Sequence, residues 1–357
     1  MKKILFGGSF DPIHLGHTHM ALCASKQLDA DVIFLPSKAA VWKKESTPVD
    51  HKIRMVELAI EDNPRFHMDL YEVRKGEEQN YSIDTVKYFV KEYPSDQFYY
   101  LIGTDQVNAF HKWKNAKELS ELAQIIYFAR PGYQLDENNI KEFKMMKIDG
   151  DEKEISSTHI RDLNALELDK KVLDYIVSNN LYFVSKIREF LSEKRFKHCI
   201  SVANLAYDIA KKHNYKKPED AFIAGLLHDI SKEIPNKEKT MVEHYKEYAD
   251  LPIFSYHQFV SEYIARTEFG IEDKDILEAI EFHATGKDNM SDLAKIIYAA
   301  DKIEPTRGFD SSELIQAMMK DVDSGFKIVL KANKEFLENN RKDINNRLTL
   351  NCFKQYL

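Results

Sequence analysis

Two groups of residues in the sequence are of the types that handle phosphates. The first is Gly7-Gly8-Ser9-Phe10-Asp11-Pro12-Ile13-His14-Leu15-Gly16-His17, which follows directly on Ile4-Leu5-Phe6. A strand that ends in two glycines lets backbone N–H groups approach an anion without obstruction from a Cβ. A helix starting near Gly16 aims its positive end at the same place. His14 and His17 then both face the anion, where imidazole N–H groups stabilise charge that grows in a transition state. The string is neither a P-loop nor a Gly-x-Gly-x-x-Gly fingerprint. Further on, Ser156-Ser157-Thr158 are N-capping residue types, and Arg161 one turn later is of a type that grips an anion bidentately.

The second group is spread more widely. His198 follows Arg195-Phe196-Lys197, the pair His228-Asp229 ends the apolar, small-residue run Ala221–Leu227, and Asp301 ends Ile296–Ala300. A charged group at the polar end of a buried helix needs a partner, and a metal is the usual one. Imidazole and carboxylate ligands without cysteine favour Fe, Mn, Zn or Ni over a thiolate site.

The elements that must position these residues change class along the chain. Lys3–Phe6, Asp31–Leu35, Phe98–Ile102 and Gln124–Ala129 read as strands, alternating with helices over Gly16–Leu28, Pro48–Ile60 and Ser82–Tyr93. That alternation predicts an α/β, Rossmann-like parallel sheet over residues 1–184. From 185 to 357 the strand signal stops, and amphipathic segments at Lys186–Glu193, His198–Lys212, Glu219–Ile230, Gln258–Glu268, Ile276–Phe282 and Leu293–Lys302 predict an all-α domain. With 357 residues, 43% of them hydrophobic, the chain has material for two cores of about 150 residues or more. A net charge of −7 gives no global basic field for nucleic acid or an anionic membrane. The longest stretch free of Asp, Glu, Lys and Arg, Pro12 to Ser25, is shorter than the roughly 20 apolar residues a spanning helix needs. Met1-Lys2-Lys3 leads into too short an apolar run for a signal peptide, and Cys23, Cys199 and Cys352 are scattered. Together these features predict a cytoplasmic protein without a disulfide framework.

The first string resembles the HxGH motif of the nucleotidyltransferase superfamily, and Ile155-Ser156-Ser157-Thr158-His159-Ile160-Arg161 resembles its ISSTxIR motif. Leu101-Ile102-Gly103-Thr104-Asp105, Tyr81-Ser82-Ile83-Asp84-Thr85, Trp113-Lys114 and Ala129-Arg130-Pro131-Gly132 are similar to blocks of nicotinate-mononucleotide adenylyltransferases. In that family a Pro-x-x-x-Pro-His-Lys loop follows the second strand. Here Pro36 and Lys43 persist, and Val41-Trp42 replaces Pro-His. The resemblance implies AMP transfer from ATP, with Mg²⁺, to nicotinate mononucleotide. It places His14, His17 and Arg161 on the reacting phosphates, and Gly7, Gly8, Ser9, Phe10, Asp105, Ser156 and Thr158 around ATP. Lys43, Thr85, Trp113 and Arg130 fall on the mononucleotide side. Phosphopantetheine adenylyltransferase, which usually carries Ser-Ser-Ser and lacks the Ile-Asp-Thr block, is the alternative.

The helical half is similar to the HD superfamily of metal-dependent phosphohydrolases, with its pattern His … His-Asp … Asp. His257 in Ser255-Tyr256-His257 and His283 in Phe282-His283-Ala284 match a subset that binds a second metal. Tyr298-Ala299-Ala300-Asp301-Lys302-Ile303-Glu304-Pro305-x-Arg307 resembles the YqeK-like family of symmetrical diadenosine-tetraphosphate hydrolases, with Lys302 where that family mostly has an aromatic. The resemblance implies a di-metal site on His198, His228, Asp229, His257, His283 and Asp301, holding Fe or alternatively Mn, Co, Ni or Zn. Lys232 and Arg307 would neutralise polyphosphate. The alternative is a non-catalytic nucleotide-sensing or oligomerisation module. A homo-oligomer is compatible with the sequence.

Overall fold

The computed structural model describes residues 1–37, 47–75, 80–129, 133–150, 155–342 and 344–357. Two compact units result: Met1–Arg161 with Glu167–Asn179, and Asp162–Leu166 with Asn180–Leu357. The chain therefore passes from one unit to the other three times.

The first unit is built on six strands, β1 (Lys2–Gly8), β2 (Asp31–Pro36), β3 (Phe66–Met68), β4 (Gln97–Ile102), β5 (Gln124–Tyr127) and β6 (Met146–Lys147). They lie in the order β3-β2-β1-β4-β5-β6, and every pairing is parallel. The apolar runs that mark β1, β2, β4 and β5 in the sequence are the central strands, buried by helices as a parallel sheet requires. Leu5, Val86, Phe89, Phe110, Leu119 and Ile125 share one core cluster. The strand order reverses between β1 and β4, and ligands of open α/β sheets bind at the carboxyl ends of the strands at such a point. Gly7-Gly8 closes β1 there and Gly103 follows β4.

The second unit is all-helical. Its longest helix, Glu193–Lys212, starts one turn before the expected His198, because Ser192 caps it: its Oγ accepts the Arg195 N–H at 3.3 Å. Pro218 opens the next helix, Pro218–Leu227, which stops short of the expected Ile230 and leaves His228-Asp229 in the turn beyond it. Tyr256–Glu268, Lys274–Glu281 and Asp292–Ile303 complete the surround of these residues. Three more helices that the sequence reading did not anticipate, Ser312–Lys320, Val322–Asn339 and Arg347–Tyr356, follow. No helix among the described residues is long and apolar enough to cross a membrane.

Candidate active sites

In the first unit, His14 is the residue before the helix Leu15–Leu28, and its backbone N–H donates to Nδ1 of His17 at 3.2 Å. That bond leaves the His17 proton on Nε2, which is then the ring's donor. The two rings stack with centroids 3.6 Å apart. Burial lowers the His14 pKa to about 4. Burial, and then repulsion from His14, hold His17 well below its ordinary value, so both imidazoles are neutral at pH 7. Position 16 is tight: a Cβ there would lie 3.0 Å from His14 Nδ1, so a larger residue would press on that ring. That nitrogen is buried without a hydrogen-bond partner among the described residues. Phe10 is buried at φ 44°, packed edge-on to His17 at 5.1 Å and against Phe6 and Phe34. Its ring is therefore a support for His17, and only its backbone is available to a ligand.

The second motif docks on the first. Ser157 Oγ donates to Pro12 O at 3.0 Å, and Arg161 donates to Asp11 O at 2.6 Å and to Thr158 Oγ1 at 2.8 Å. Ser156 Oγ accepts the Thr158 N–H at 3.2 Å. Arg161 thus sits one backbone carbonyl away from the His14 loop. A cleft of about 300 Å³ opens at the carboxyl ends of the strands, lined by Gly7, Gly8, Glu72, Tyr100, Gly103 and Trp113 among others. Trp113 is set edge-to-face on Tyr100 at 6.0 Å. Thr85 is buried, and its hydroxyl donates to Glu72 Oε1 at 2.9 Å, so it meets the cleft only through Glu72. Asp105 is exposed in the first turn of Thr104–Ala109 and accepts from Gln106 at 2.9 Å. Ser9 is half-buried beside Gly8; Lys43 and Arg130 lie outside the described residues.

Glu72 was not among the expected site residues. Burial raises its pKa to about 7, against the opposing pull of Thr85 and Lys75. A folded-state value above the ordinary 4.5 means that protonated Glu72 suits the fold. That stability is fully present below pH 4.5 and is lost as pH rises to 7. The loss is about 3 kcal/mol at about 1.4 kcal/mol per unit. Glu72→Gln, which stays neutral and keeps an acceptor for Thr85, is expected to melt several degrees above the parent at pH 8 and to match it near pH 5. Thermal melts at the two pH values check this, and an equal gap at both contradicts it.

In the second unit, four histidines have their Nδ1 atoms tied back. His228 donates to Gly225 O at 2.7 Å, His257 to Phe254 O at 2.7 Å and His283 to Ile280 O at 2.8 Å. His198 Nδ1 lies 2.9 Å from Glu304 Oε1. With those protons placed, every Nε2 is an acceptor turned inward. His257 Nε2 and His283 Nε2 stand 3.1 Å apart, an arrangement of two lone pairs that repels unless a cation lies between them. Asp229 faces both sides. Its Oδ1 is 3.2 and 3.4 Å from Nε2 of His257 and His283, and its Oδ2 is 3.9 and 3.8 Å from Nε2 of His198 and His228. Asp301 Oδ1 is 3.2 Å from His198 Nε2 and 3.6 Å from His228 Nε2. Nε2 of His198 and His228 and Oδ1 of Asp229 are buried without a hydrogen-bond partner among the described residues. These donors fit divalent metal: three overlapping groups, each of three ligand atoms within 4.8 Å of one another, draw on all six residues.

The electrostatics follow from this crowding. Burial lowers the pKa of His257, and that of His283 to about 3. Burial alone would raise Asp229 and Asp301, yet both are held well below the carboxylate range, Asp301 first by the Lys302 ammonium and also by Arg307. Arg195 donates to Asp229 Oδ2 at 2.6 Å, Lys302 to Asp301 Oδ2 at 2.6 Å, and Arg307 to the Asp301 carboxylate and to its carbonyl at 2.7 Å. Lys232 Nζ is 2.9 Å from His257 Nε2. A cavity of about 550 Å³ opens over the cluster, with Arg195, Lys232, Lys302, Arg307 and Lys342 in its lining. Arg195 and Glu304 were missed as site residues; their roles arise from packing between distant helices. Gly225 permits that packing, since a Cβ there would lie 2.6 Å from Ala203 Cα. The two backbones touch, and the His198 and His228 rings come to 5.3 Å.

Residues 5–163 match the family described as cytidylyltransferase-like, and residues 195–306 match the HD domain. A Mycoplasma genitalium protein named probable nicotinate-nucleotide adenylyltransferase/Ap4A hydrolase is 30% identical over 348 residues, which are 92% of this chain and 97% of that one. A Mycoplasma pneumoniae protein of the same name is 27% identical, over 92% of this chain and 98% of its own. A crystal structure from Clostridium acetobutylicum, described as a predicted HD superfamily hydrolase involved in NAD metabolism, is 33% identical. It covers 48% of this chain and 95% of its own, with a TM-score of 0.43.

Proposed function

The chain belongs to the family of two-domain nicotinate-nucleotide adenylyltransferase/Ap4A hydrolases, and from that premise we propose that it carries out both reactions, transfer in residues 1–184 and hydrolysis in residues 185–357. What carries the reading is that two separate units each hold a phosphate-handling constellation: stacked neutral His14 and His17 beside Arg161, and inward-facing imidazoles around Asp229. In the first reaction a 5′-phosphate oxygen of nicotinate mononucleotide bonds to the α-phosphorus of ATP, brought in with Mg²⁺. The bond from that phosphorus to the β-phosphate oxygen breaks, and pyrophosphate leaves with nicotinate adenine dinucleotide as the other product. No covalent enzyme intermediate forms, so positioning and electrostatics supply the catalysis. His17 Nε2–H and Arg161 bind the transferring phosphate, Gly7, Gly8, Ser9 and Ser156 cradle its neighbours, and Asp105 holds the adenosine side. Trp113 forms the wall of the mononucleotide cleft, with Thr85 behind it.

In the second reaction a water oxygen bonds to one inner phosphorus of diadenosine tetraphosphate, the central P–O–P bridge breaks, and two ADP leave. Divalent metals held by His198, His228, Asp229, His257, His283 and Asp301 supply Lewis-acid polarisation and water activation when bound. Iron is the metal that the resemblance to the hydrolase family favours, with Mn, Co, Ni or Zn as alternatives for the same donors. Lys232 and Arg307 neutralise phosphate oxygens, and Glu304 orients His198. The three unpaired cysteines suit a reducing cytoplasm.

Two assays on the full chain test the reading. With ATP, nicotinate mononucleotide is expected to give equimolar pyrophosphate and dinucleotide faster than nicotinamide mononucleotide or 4′-phosphopantetheine does. Preference for phosphopantetheine overturns the first assignment. With Fe²⁺, Mn²⁺, Co²⁺ or Ni²⁺, diadenosine tetraphosphate is expected to give two ADP. No ADP with any of the four overturns the second and leaves a nucleotide-sensing module.

A further inference from the structure

Beside the cationic cavity over the metal ligands lies a second one of about 400 Å³, within the range of about 300–1,000 Å³ usual for small-molecule sites. Its floor includes Ile303 and Val329, both buried, and it shares Lys302, Arg307, Asn333 and Phe336 with the metal cavity. Phe309 and Phe336 line it with 50% and 60% of their surface exposed, although large aromatics usually bury themselves when nothing needs them at the surface. The two cations stand where the cavities join, and both are anchored on Asp301. An occupant spanning the junction must therefore be flat and apolar at one end and polyanionic at the other. Asn333 is the one uncharged polar side chain among the described lining residues. Its Nδ2 donates to Tyr298 Oη at 2.9 Å, which leaves a carbonyl oxygen and a second amide hydrogen to meet a base edge.

We propose that this apolar cavity binds a nucleobase of the dinucleotide substrate, stacked on Phe336 and Phe309, with its phosphates passing Lys302 and Arg307 toward the metal ligands. The inference rests on the hydrolase reading and assigns that site a base-binding half. Stacking on an aromatic is worth about 1–3 kcal/mol per base, a factor of roughly 5–150 in affinity. In the full chain, Phe336→Ala is expected to raise KM for diadenosine tetraphosphate tenfold or more while kcat falls less than about threefold, and Phe336→Trp is expected to restore KM. Calorimetry of ADP on the chelator-treated chain supplies a readout free of catalysis. The parent is expected to show two adenine-nucleotide sites, one per unit, and Phe336→Ala to lose one of them. An unchanged KM with both ADP sites retained overturns the cavity assignment, as does a loss of kcat alone. If the parent hydrolyses nothing with any metal, the hydrolase reading fails on its own, and the ADP sites alone decide whether the cavity takes a base.

Discussion

Asp229→Asn is expected to empty the metal site and cut hydrolysis of diadenosine tetraphosphate by at least about 10³-fold, more than the roughly 10–100-fold usual for residues that only orient a ligand. Among the described residues, Asp229 is the one whose two oxygens face both histidine pairs, His257 with His283 and His198 with His228. Its negative charge is what lets four inward lone pairs accept a cation, and an amide offers one neutral oxygen and a nitrogen that ligates poorly. The substitution also strands Arg195, which donates to Asp229 Oδ2. A melting curve and the transfer rate with ATP must therefore be taken alongside, and the transfer rate is expected to stay within about twofold of the parent. Glu304→Gln provides the graded comparison: among the proposed metal ligands it meets His198 alone, at Nδ1, besides accepting from Thr306, so a loss of about 10–100-fold is expected. Metal analysis of the purified variants is the decisive measurement. Full metal content in Asp229→Asn contradicts the assignment.

His17→Ala is expected to lower the adenylyl-transfer kcat by about 10²–10³-fold, the usual effect of removing one donor to a developing oxyanion. The size follows from the fixed tautomer. The His14 N–H occupies Nδ1, so the whole donor capacity of the ring lies at Nε2. Because burial keeps both imidazoles neutral, the rate should show no acid limb from them between pH 6 and 9. The first such limb belongs near pH 4, where His14 takes up a proton against the stacked His17 ring. A pH–rate profile checks the sign: a limb near pH 6.5 that vanishes in His17→Ala would mean the reactive form is an imidazolium. A kcat loss under tenfold contradicts the phosphate role altogether.

Much of this was legible in the residues. Ile4-Leu5-Phe6 before two glycines announced both a buried central strand and the place where a backbone approaches a ligand, and β1 ends there. The edge strands β3 and β6 were not legible, because three and two residues carry too little pattern to stand out from a loop. Val322–Asn339 buries few large apolar side chains along its 18 residues, chiefly Phe326, Val329 and Leu330, so its helical period is thin. At the sites, histidines and aspartates were visible by type, whereas Glu304 and Arg195 stood within the quoted motifs without a role of their own. Their partners, His198 and Asp229, lie on other helices or turns, and only the fold brings them together. Glu72 was hidden for the same reason: burial gives it its character, and composition does not report burial.

The three passages of the chain between its units bear on how far the two activities can be treated as separable parts. A cut after Val184 divides the motifs cleanly but does not divide the folded matter. Asp162–Leu166 stays on the wrong fragment, with Leu163 and Leu166, both buried, and with Asn164, whose Oδ1 sits 3.2 Å from where a Cβ of Gly270 would be. The helical fragment would start life with an uncovered apolar seat. The two units are therefore alternated along the chain, and a fragment that starts at Ser185 is expected to lack part of its own unit.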